Sequence, residues 1–263
     1  MNAMRLYDIH AHLADERFSA DFDGVLSRMH ENRVEKCLVI CDPGDLAPDH
    51  IRASQIVETH PQLLLSAACH PQNALHYTDA TEEIVRSLAA KPYCRCIGET
   101  GLDEYDNQST LAQQEHALQR QLDIAFETGL PVQLHVRSAH GRMIEILRDR
   151  KKSGRLPKCI VHCFTRNAEL ARAYLRLDCS NSIAGPVTYT TANQLLETVR
   201  AIPQELLLIE TDSPWVSPEP HRGEVGEPSF LRDTFLRVAE LRGEDPERLS
   251  EVLWNNAKAL FGE

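Results

Sequence analysis

Basic residues are the minority charge in this 263-residue sequence: 28 Lys and Arg stand against 39 Asp and Glu, a formal charge of -11. That balance excludes the extended basic surface that wraps or tracks nucleic acid. Any polyanion would have to be met locally, by a metal and a few arginines. Long apolar runs are missing too, since none approaches the roughly 20 residues that a bilayer-spanning helix needs. The chain passes from Met4 almost directly into the strand-like Arg5 to Ile9, without a basic stretch followed by an apolar one, so no secretory leader is expected. The expectation is a cytoplasmic protein with no membrane partner.

Paired CxxC spacings are absent as well. The eight cysteines (37, 41, 69, 94, 96, 159, 163 and 179) fall mostly inside apolar strand-like runs such as Lys36 to Cys41, and neither Cys37 with Cys41 nor Cys94 with Cys96 has the spacing of a zinc knuckle. They read as reduced core thiols. No Walker loop, no GxGxxG after a strand and no GxSxG elbow occurs, which leaves phosphate-loop, dinucleotide and serine-hydrolase chemistry without support. No low-complexity segment or long linker interrupts the chain, so one domain is expected over 1–263.

Short β-branched or Leu-rich runs alternate instead with longer amphipathic ones. Eight strands are expected: Leu6 to Ile9, Lys36 to Cys41, Leu63 to Cys69, Cys94 to Gly98, Val132 to Val136, Cys159 to Cys163, Cys179 to Ile183 and Leu206 to Thr211. Helices are expected between the strands, among them Asp23 to Arg33, Thr81 to Ala90, Thr110 to Thr128, Asn167 to Leu175 and Ala192 to Ala201, with two more, Ser229 to Leu241 and Pro246 to Leu260, at the end.

Polar residues recur at the strand ends with a regular step. His12 to Cys41, Cys41 to His70 and His70 to Glu99 are each 29 residues, followed by 36 to His135, 27 to His162 and 50 to Asp212. One βα unit of a barrel takes about 30 residues, and barrel enzymes build their sites at the C-terminal ends of the strands. The reading is α/β, a single-domain (β/α)8 TIM-type barrel; an open doubly wound sheet, the main rival, explains the count of eight less well. The Pro- and Gly-rich stretch from Ser213 to Pro228 is the longest irregular segment and is expected to cover the mouth after the eighth strand.

His10 and His12 flank Ala11 at the end of the first strand, and positions i and i+2 of a strand point to one face, where two imidazoles can bind one cation. Glu99 follows an apolar strand between Gly98 and Gly101, glycines that let backbone approach a site closely, and a carboxylate there can bridge two cations about 3.5 to 4 Å apart. His135 and His162 interrupt apolar strands, and Asp212 ends the Leu206 to Asp212 run just before Ser213-Pro214. Taken singly, each has a bland reading as a core histidine or a solvated loop carboxylate. Taken together, His10, His12, Glu99, His135, His162 and Asp212 form a nitrogen and oxygen ligand set for one or two divalent cations, suited to Zn, Mn or Mg.

These residues lie in runs that resemble the TatD family of metal-dependent deoxyribonucleases, within the amidohydrolase superfamily. The runs are Asp8-Ile9-His10-Ala11-His12-Leu13, Ile97-Gly98-Glu99-Thr100-Gly101-Leu102-Asp103, His135-Val136-Arg137, His162-Cys163-Phe164-Thr165, Glu210-Thr211-Asp212-Ser213-Pro214-Trp215, and Arg222-Gly223 with Glu227-Pro228. The resemblance runs from Tyr7 to Phe261. It implies a barrel holding two divalent metals for phosphodiester hydrolysis, with His10, His12, Glu99 and Asp212 on one cation and Glu99, His135 and His162 on the other. Asp212 would also take a proton from the attacking water. The chain departs from the family pattern at Ala68-Cys69-His70-Pro71-Gln72, at Arg137-Ser138-Ala139, and at Glu224 and Gly226, all outside the ligand set.

The expected activity is a phosphodiesterase or deoxyribonuclease using a metal-activated water, with DNA or another phosphodiester as its partner and His70, Arg137 and Arg222 as phosphate contacts. The competing reading is an amide or ester hydrolase on a small molecule or aminoacyl-tRNA, which the acidic charge and Glu224 favour. A third is a metal-binding scaffold without activity, against which stands the complete ligand set. Oligomeric state is not legible.

Overall fold

A computed structural model of the chain describes residues 4–44, 49–106 and 108–263. Strands and helices alternate: β1 (Leu6–Ala11), α1 (Phe22–Glu31), β2 (Val34–Cys41), α2 (Asp49–Thr59), β3 (Leu63–Ala67), α3 (Asp79–Ala89), β4 (Cys94–Asp103), α4 (Leu111–Thr128), β5 (Val132–Arg137), α5 (His140–Lys152), β6 (Cys159–Val161), α6 (Ala168–Leu175), β7 (Ser180–Ile183), α7 (Asn193–Ala201), β8 (Leu207–Ile209), α8 (Leu231–Arg242) and α9 (Pro246–Phe261). The strands follow one another in the sheet in sequence order, β1 to β8, and a helix follows each, which is the (β/α)8 arrangement. No helix among the described residues is long and apolar enough to cross a membrane. By their packing the elements fall into two compact units. One comprises residues up to Val39, Cys163–Arg176 and Ser180–Glu263; the other comprises Ile40–His162 and Leu177–Cys179.

In the first unit β7 pairs in parallel with β8 from Asn181↔Leu207 to Ile183↔Ile209, and β1 pairs in parallel with β2 from Leu6↔Val34 to Ala11↔Val39. An isolated bridge, Ala11↔Ser213, sets β1 beside the chain leaving β8. All of β1 is buried, although its sequence includes Asp8 and His10. Buried charge persists only with partners. Asp8 Oδ1 accepts the Thr211 N–H at 2.9 Å and the His10 N–H at 3.2 Å, while Oδ2 accepts the Thr211 hydroxyl at 2.5 Å. Burial drives the Asp8 pKa up to about 7 in spite of these donors. Helix α9 starts on Asp245, whose side chain caps Arg248 N–H with Pro246 in the first turn, and ends on Gly262 at φ 70°. It lays Trp254 and Phe261 on Tyr7 of β1, with ring centroids 5.7 and 5.6 Å apart.

In the second unit β3 pairs with β4, β4 with β5 and β5 with β6, all parallel. Helix α4 is capped reciprocally by Thr110 and Gln113 and stopped by Gly129 at φ 72°. Its buried face carries Gln114 and Gln121 among Ala117, Leu118 and Leu122, and both glutamines hold backbone. Gln121 accepts the Cys69 N–H at 2.6 Å and donates to Thr100 Oγ1 at 2.7 Å; Gln114 accepts the Asp103 N–H at 2.8 Å and donates to Asp103 O at 2.9 Å. The helix thus fixes the residue before His70 and the far end of β4.

Strand β4 runs five residues past the expected Gly98, and its two glycines serve the sheet instead of a ligand. A Cβ on Gly98 would meet Gln133 Cβ at 2.6 Å and Ser66 Oγ at 2.9 Å. Gly101, at φ 156° and paired with His135, would bring a Cβ to 1.9 Å from the His135 carbonyl oxygen. Gly101→Ala is therefore expected to destabilise the protein by roughly 3 kcal/mol or more, because overpacking and a disallowed backbone add. A denaturant midpoint unchanged within error would show that β4 can shift away from β5 at no cost.

None of the eight cysteines is joined in a disulfide, and seven of them are buried. Burial pushes the Cys94 thiol up to about 11 and raises Cys37 and Cys96 as well, so none of these three is a thiolate at neutral pH.

Candidate metal centre

In the first unit three of the expected residues converge. His10 is the fifth residue of β1 and His12 follows the strand, and their Nε2 atoms stand 3.3 Å apart, as i and i+2 on one face require. Asp212 Oδ1 lies 3.5 Å from His10 Nε2 and 3.6 Å from His12 Nε2. The backbone holds this geometry from both sides, with Asp212 N–H donating to His10 O at 2.9 Å and His12 N–H donating to Ser213 O at 2.7 Å. Asp212 adopts φ 57°, a left-handed conformation that Asp tolerates better than most residues and that is concentrated at functional sites. Asp8 is the device behind the cluster, since it ties the His10 N–H to Thr211, the neighbour of Asp212.

In the second unit Glu99, His135 and His162 converge with His70. Glu99 is 4% exposed, and its Oε1 lies 2.7 Å from His135 Nδ1, 2.6 Å from His162 Nε2 and 3.5 Å from His70 Nε2. The His162 N–H donates to Leu134 O at 3.1 Å, which seats His162 beside β5. The other ring nitrogen of His135, Nε2, stands 3.2 Å from Asp103 Oδ2. Asp103 also accepts the Tyr105 and Asp106 N–H groups at 2.8 and 3.0 Å, and Gln114 grips its backbone. Burial opposes ionisation of Asp103, but His135 and those two N–H groups outweigh it and hold the pKa at about 2. Burial likewise opposes the cationic form of His135, and the Asp103 and Glu99 carboxylates on its two nitrogens outweigh it, raising the pKa.

Both clusters fit a divalent cation by the chemistry of their donors: imidazole nitrogens and carboxylate oxygens, no thiolate, crowded within 3.6 Å, as lone pairs are around one positive charge. His135 has the further mark of a ligand histidine, a carboxylate on the ring nitrogen away from Glu99. Neither Asp103 nor Asp8 is singled out as a site residue from sequence. Strand alternation gives the missing signal for Asp103, because positions 99, 101 and 103 of one strand face the same way.

The expected phosphate contacts divide. His70 joins the second cluster, and because its Nδ1 accepts the Gln72 N–H at 3.1 Å, its Nε2 carries the proton and acts as a donor. Arg137 lies over the Tyr105 ring, 3.8 Å from its centroid, and Arg222 over Tyr189 at 4.3 Å, with Glu219 Oε1 3.8 Å from its guanidinium. The departing residue Glu224 reaches His221 at 3.2 Å.

Known proteins resemble this chain over nearly its whole length. The chain is 33% identical over 256 residues to the uncharacterized metal-dependent hydrolase YabD of Bacillus subtilis, covering 97% of this chain and 98% of that one. It is 34% identical over 263 residues to the 3'-5' ssDNA/RNA exonuclease TatD of Escherichia fergusonii, covering 98% and 99%. Among solved structures, the TatD homolog YJJV from Escherichia coli K12 superposes with a TM-score of 0.91 at 26% identity over 99% of each chain. The family model for TatD related DNase matches residues 7–262, and with relatives this similar over nearly its full length the chain belongs to that family and is a metal-dependent hydrolase.

Proposed function

We propose that the protein, as one domain over 1–263, is a two-metal phosphodiesterase that cleaves single-stranded nucleic acid by attack of water. The observation that supports this most directly is the pair of histidine and carboxylate clusters, each with donors enough for one cation. His10, His12 and Asp212 would hold one, and Glu99, His135 and His162 the other, with Zn, Mn or Mg suited to the ligands. Bound divalent cations would lower the pKa of water toward about 7 and stabilise the charge of the phosphoryl transition state. The chain supplies the rest. The Asp212 carboxylate takes the proton of the attacking water, Asp103 holds His135 with Nδ1 toward Glu99, and the His70 Nε2–H donates to a substrate oxygen. Arg137 and Arg222, preset on their aromatic rings, meet phosphate locally, as a chain of charge -11 requires. The relative named as a 3'-5' ssDNA/RNA exonuclease supports the choice of substrate.

The test is a substrate screen on protein stripped by chelator and reloaded with each metal, using single-stranded DNA, bis-p-nitrophenyl phosphate and p-nitrophenyl acetate. Stripped protein should be inactive and reloaded protein should cleave the phosphodiesters. Arg137→Ala and Arg222→Ala should each lower kcat/KM for phosphodiesters by roughly tenfold or more, the worth of a hydrogen bond to charge, and leave the neutral ester within about twofold. Faster turnover of the ester by the unmutated protein would replace this reading with the amide or ester hydrolase.

A further inference from the structure

Trp215 is 51% exposed, unlike the chain's other tryptophan, the buried Trp254. It lies three residues beyond Asp212, and its N–H donates to Asp212 O at 2.9 Å. Tryptophan is highly buried on average, and this exposed one stands beside the His10, His12 and Asp212 cluster. The guanidinium of Arg17 lies over the indole, 3.9 Å from the ring centroid. Arg17 is paired with Asp15: its Nε and Nη2 donate to the two carboxylate oxygens of Asp15 at 2.8 and 2.7 Å, and its backbone N–H donates to Asp15 Oδ1 at 2.9 Å.

Both partners stand on the segments that leave the His10, His12 and Asp212 cluster. Asp15 N–H donates to His12 O at 3.0 Å, His12 N–H donates to Ser213 O at 2.7 Å, and Ala11 bridges Ser213. The stacked pair is thus fixed relative to that cluster by backbone hydrogen bonds. Its chemistry narrows the ligand. The Arg17 charge is already matched by a bidentate carboxylate, so the pair offers little to a phosphate. It offers a rigid aromatic surface, with a cation over the ring, to a flat π-system.

We infer that Trp215, backed by Arg17, is a stacking platform for a base of the single-stranded substrate, seating the nucleotide next to the phosphodiester that is cut. This rests on the phosphodiesterase reading. Because every base has a π-face, the platform selects unpaired strands without selecting sequence.

The experiment compares a thymidine hexamer with a hexamer of abasic nucleotides, equal in phosphate charge, on the metal-loaded protein, on Trp215→Ala and on Trp215→Phe, with metal content and melting temperature as controls. Trp215→Ala should lower kcat/KM for the thymidine hexamer roughly 10- to 100-fold, mainly through KM, leave the abasic hexamer within about twofold, and be largely rescued by phenylalanine. Equal losses on both hexamers, or no loss on either, would overturn the platform; if the alanine variant does not fold, failure of the phenylalanine variant to retain the preference for bases does so. Failure of the phosphodiesterase reading looks different, since the unmutated protein would then cut neither hexamer. Tryptophan emission decides in that case. Quenching by the thymidine hexamer but not the abasic one, lost in Trp215→Phe, keeps Trp215 as a base-stacking surface without a role in cleavage, and no such quenching removes it.

Discussion

Asp212→Asn, assayed with metal in excess so that the cluster stays filled, is expected to cost roughly 10²- to 10⁴-fold in turnover, the usual range for removing a general base. The substitution is chosen to separate two duties of one side chain. Asparagine has nearly the same volume, and its amide oxygen can still face His10 and His12 from the position of Oδ1, now 3.5 and 3.6 Å from them. It also tolerates the left-handed backbone at φ 57°, so the turn that presents the side chain should persist. What asparagine cannot do is accept a proton from water at neutral pH. Metal analysis beside kcat reads the two duties independently: unchanged turnover at normal metal content would leave Asp212 as a structural carboxylate, and loss of metal with loss of turnover would leave it as a ligand only.

The strand-end rhythm singles out the candidate ligands, because a parallel barrel forces equivalent residues to recur once per βα unit. His10, His12 and Asp212 converge in one unit and Glu99, His135 and His162 in the other. Less legible was where strands end. Apolarity stops at Ile9 in β1 and at Gly98 in β4, so the reading stops there, yet β1 continues through Ala11 and β4 through Asp103. Polar residues remain in those strands because partners satisfy them: Thr211 for Asp8, Gln121 for Thr100, and Gln114 and His135 for Asp103. Those partners are distant in sequence, beyond the reach of any local pattern.

Two helices also lie outside the sequence reading. Among the described side chains of α2, Ala53, Ile56 and Val57 are buried, and α5 hides Met143, Ile144, Ile146 and Leu147 among Arg and Lys, so neither announces itself as an apolar stripe. The arginines show the converse. Arg137 and Arg222 stand out as lone cations near site motifs, but their stacking on Tyr105 and Tyr189 is visible only in three dimensions. Trp215 lies within a motif and gains its meaning from Arg17, 198 residues earlier in the chain.

Glu99→Gln should have the second large effect, and Asp103→Asn supplies its scale. Glu99 Oε1 is the point on which His135 and His162 converge, at 2.7 and 2.6 Å, and it is the carboxylate within reach of both imidazoles. Exchanging it for an amide removes the negative charge while keeping the shape, leaving a divalent cation two neutral imidazoles in this cluster. Charge stabilisation by a metal is worth several kcal/mol and each 1.36 kcal/mol is tenfold, so activity should fall about a thousandfold or more, with about one equivalent of metal lost on dialysis. Asp103 touches the ring nitrogen of His135 turned away from Glu99, so its neutralisation acts only through the orientation and basicity of that imidazole. Roughly 10- to 100-fold in metal affinity or activity is expected there, recoverable by raising the metal concentration. Recovery of Asp103→Asn but not Glu99→Gln in a metal titration would mark the first as a positioning residue and the second as a ligand; full metal content and normal activity in Glu99→Gln would remove the second cluster from the mechanism and leave His10, His12 and Asp212 to act alone.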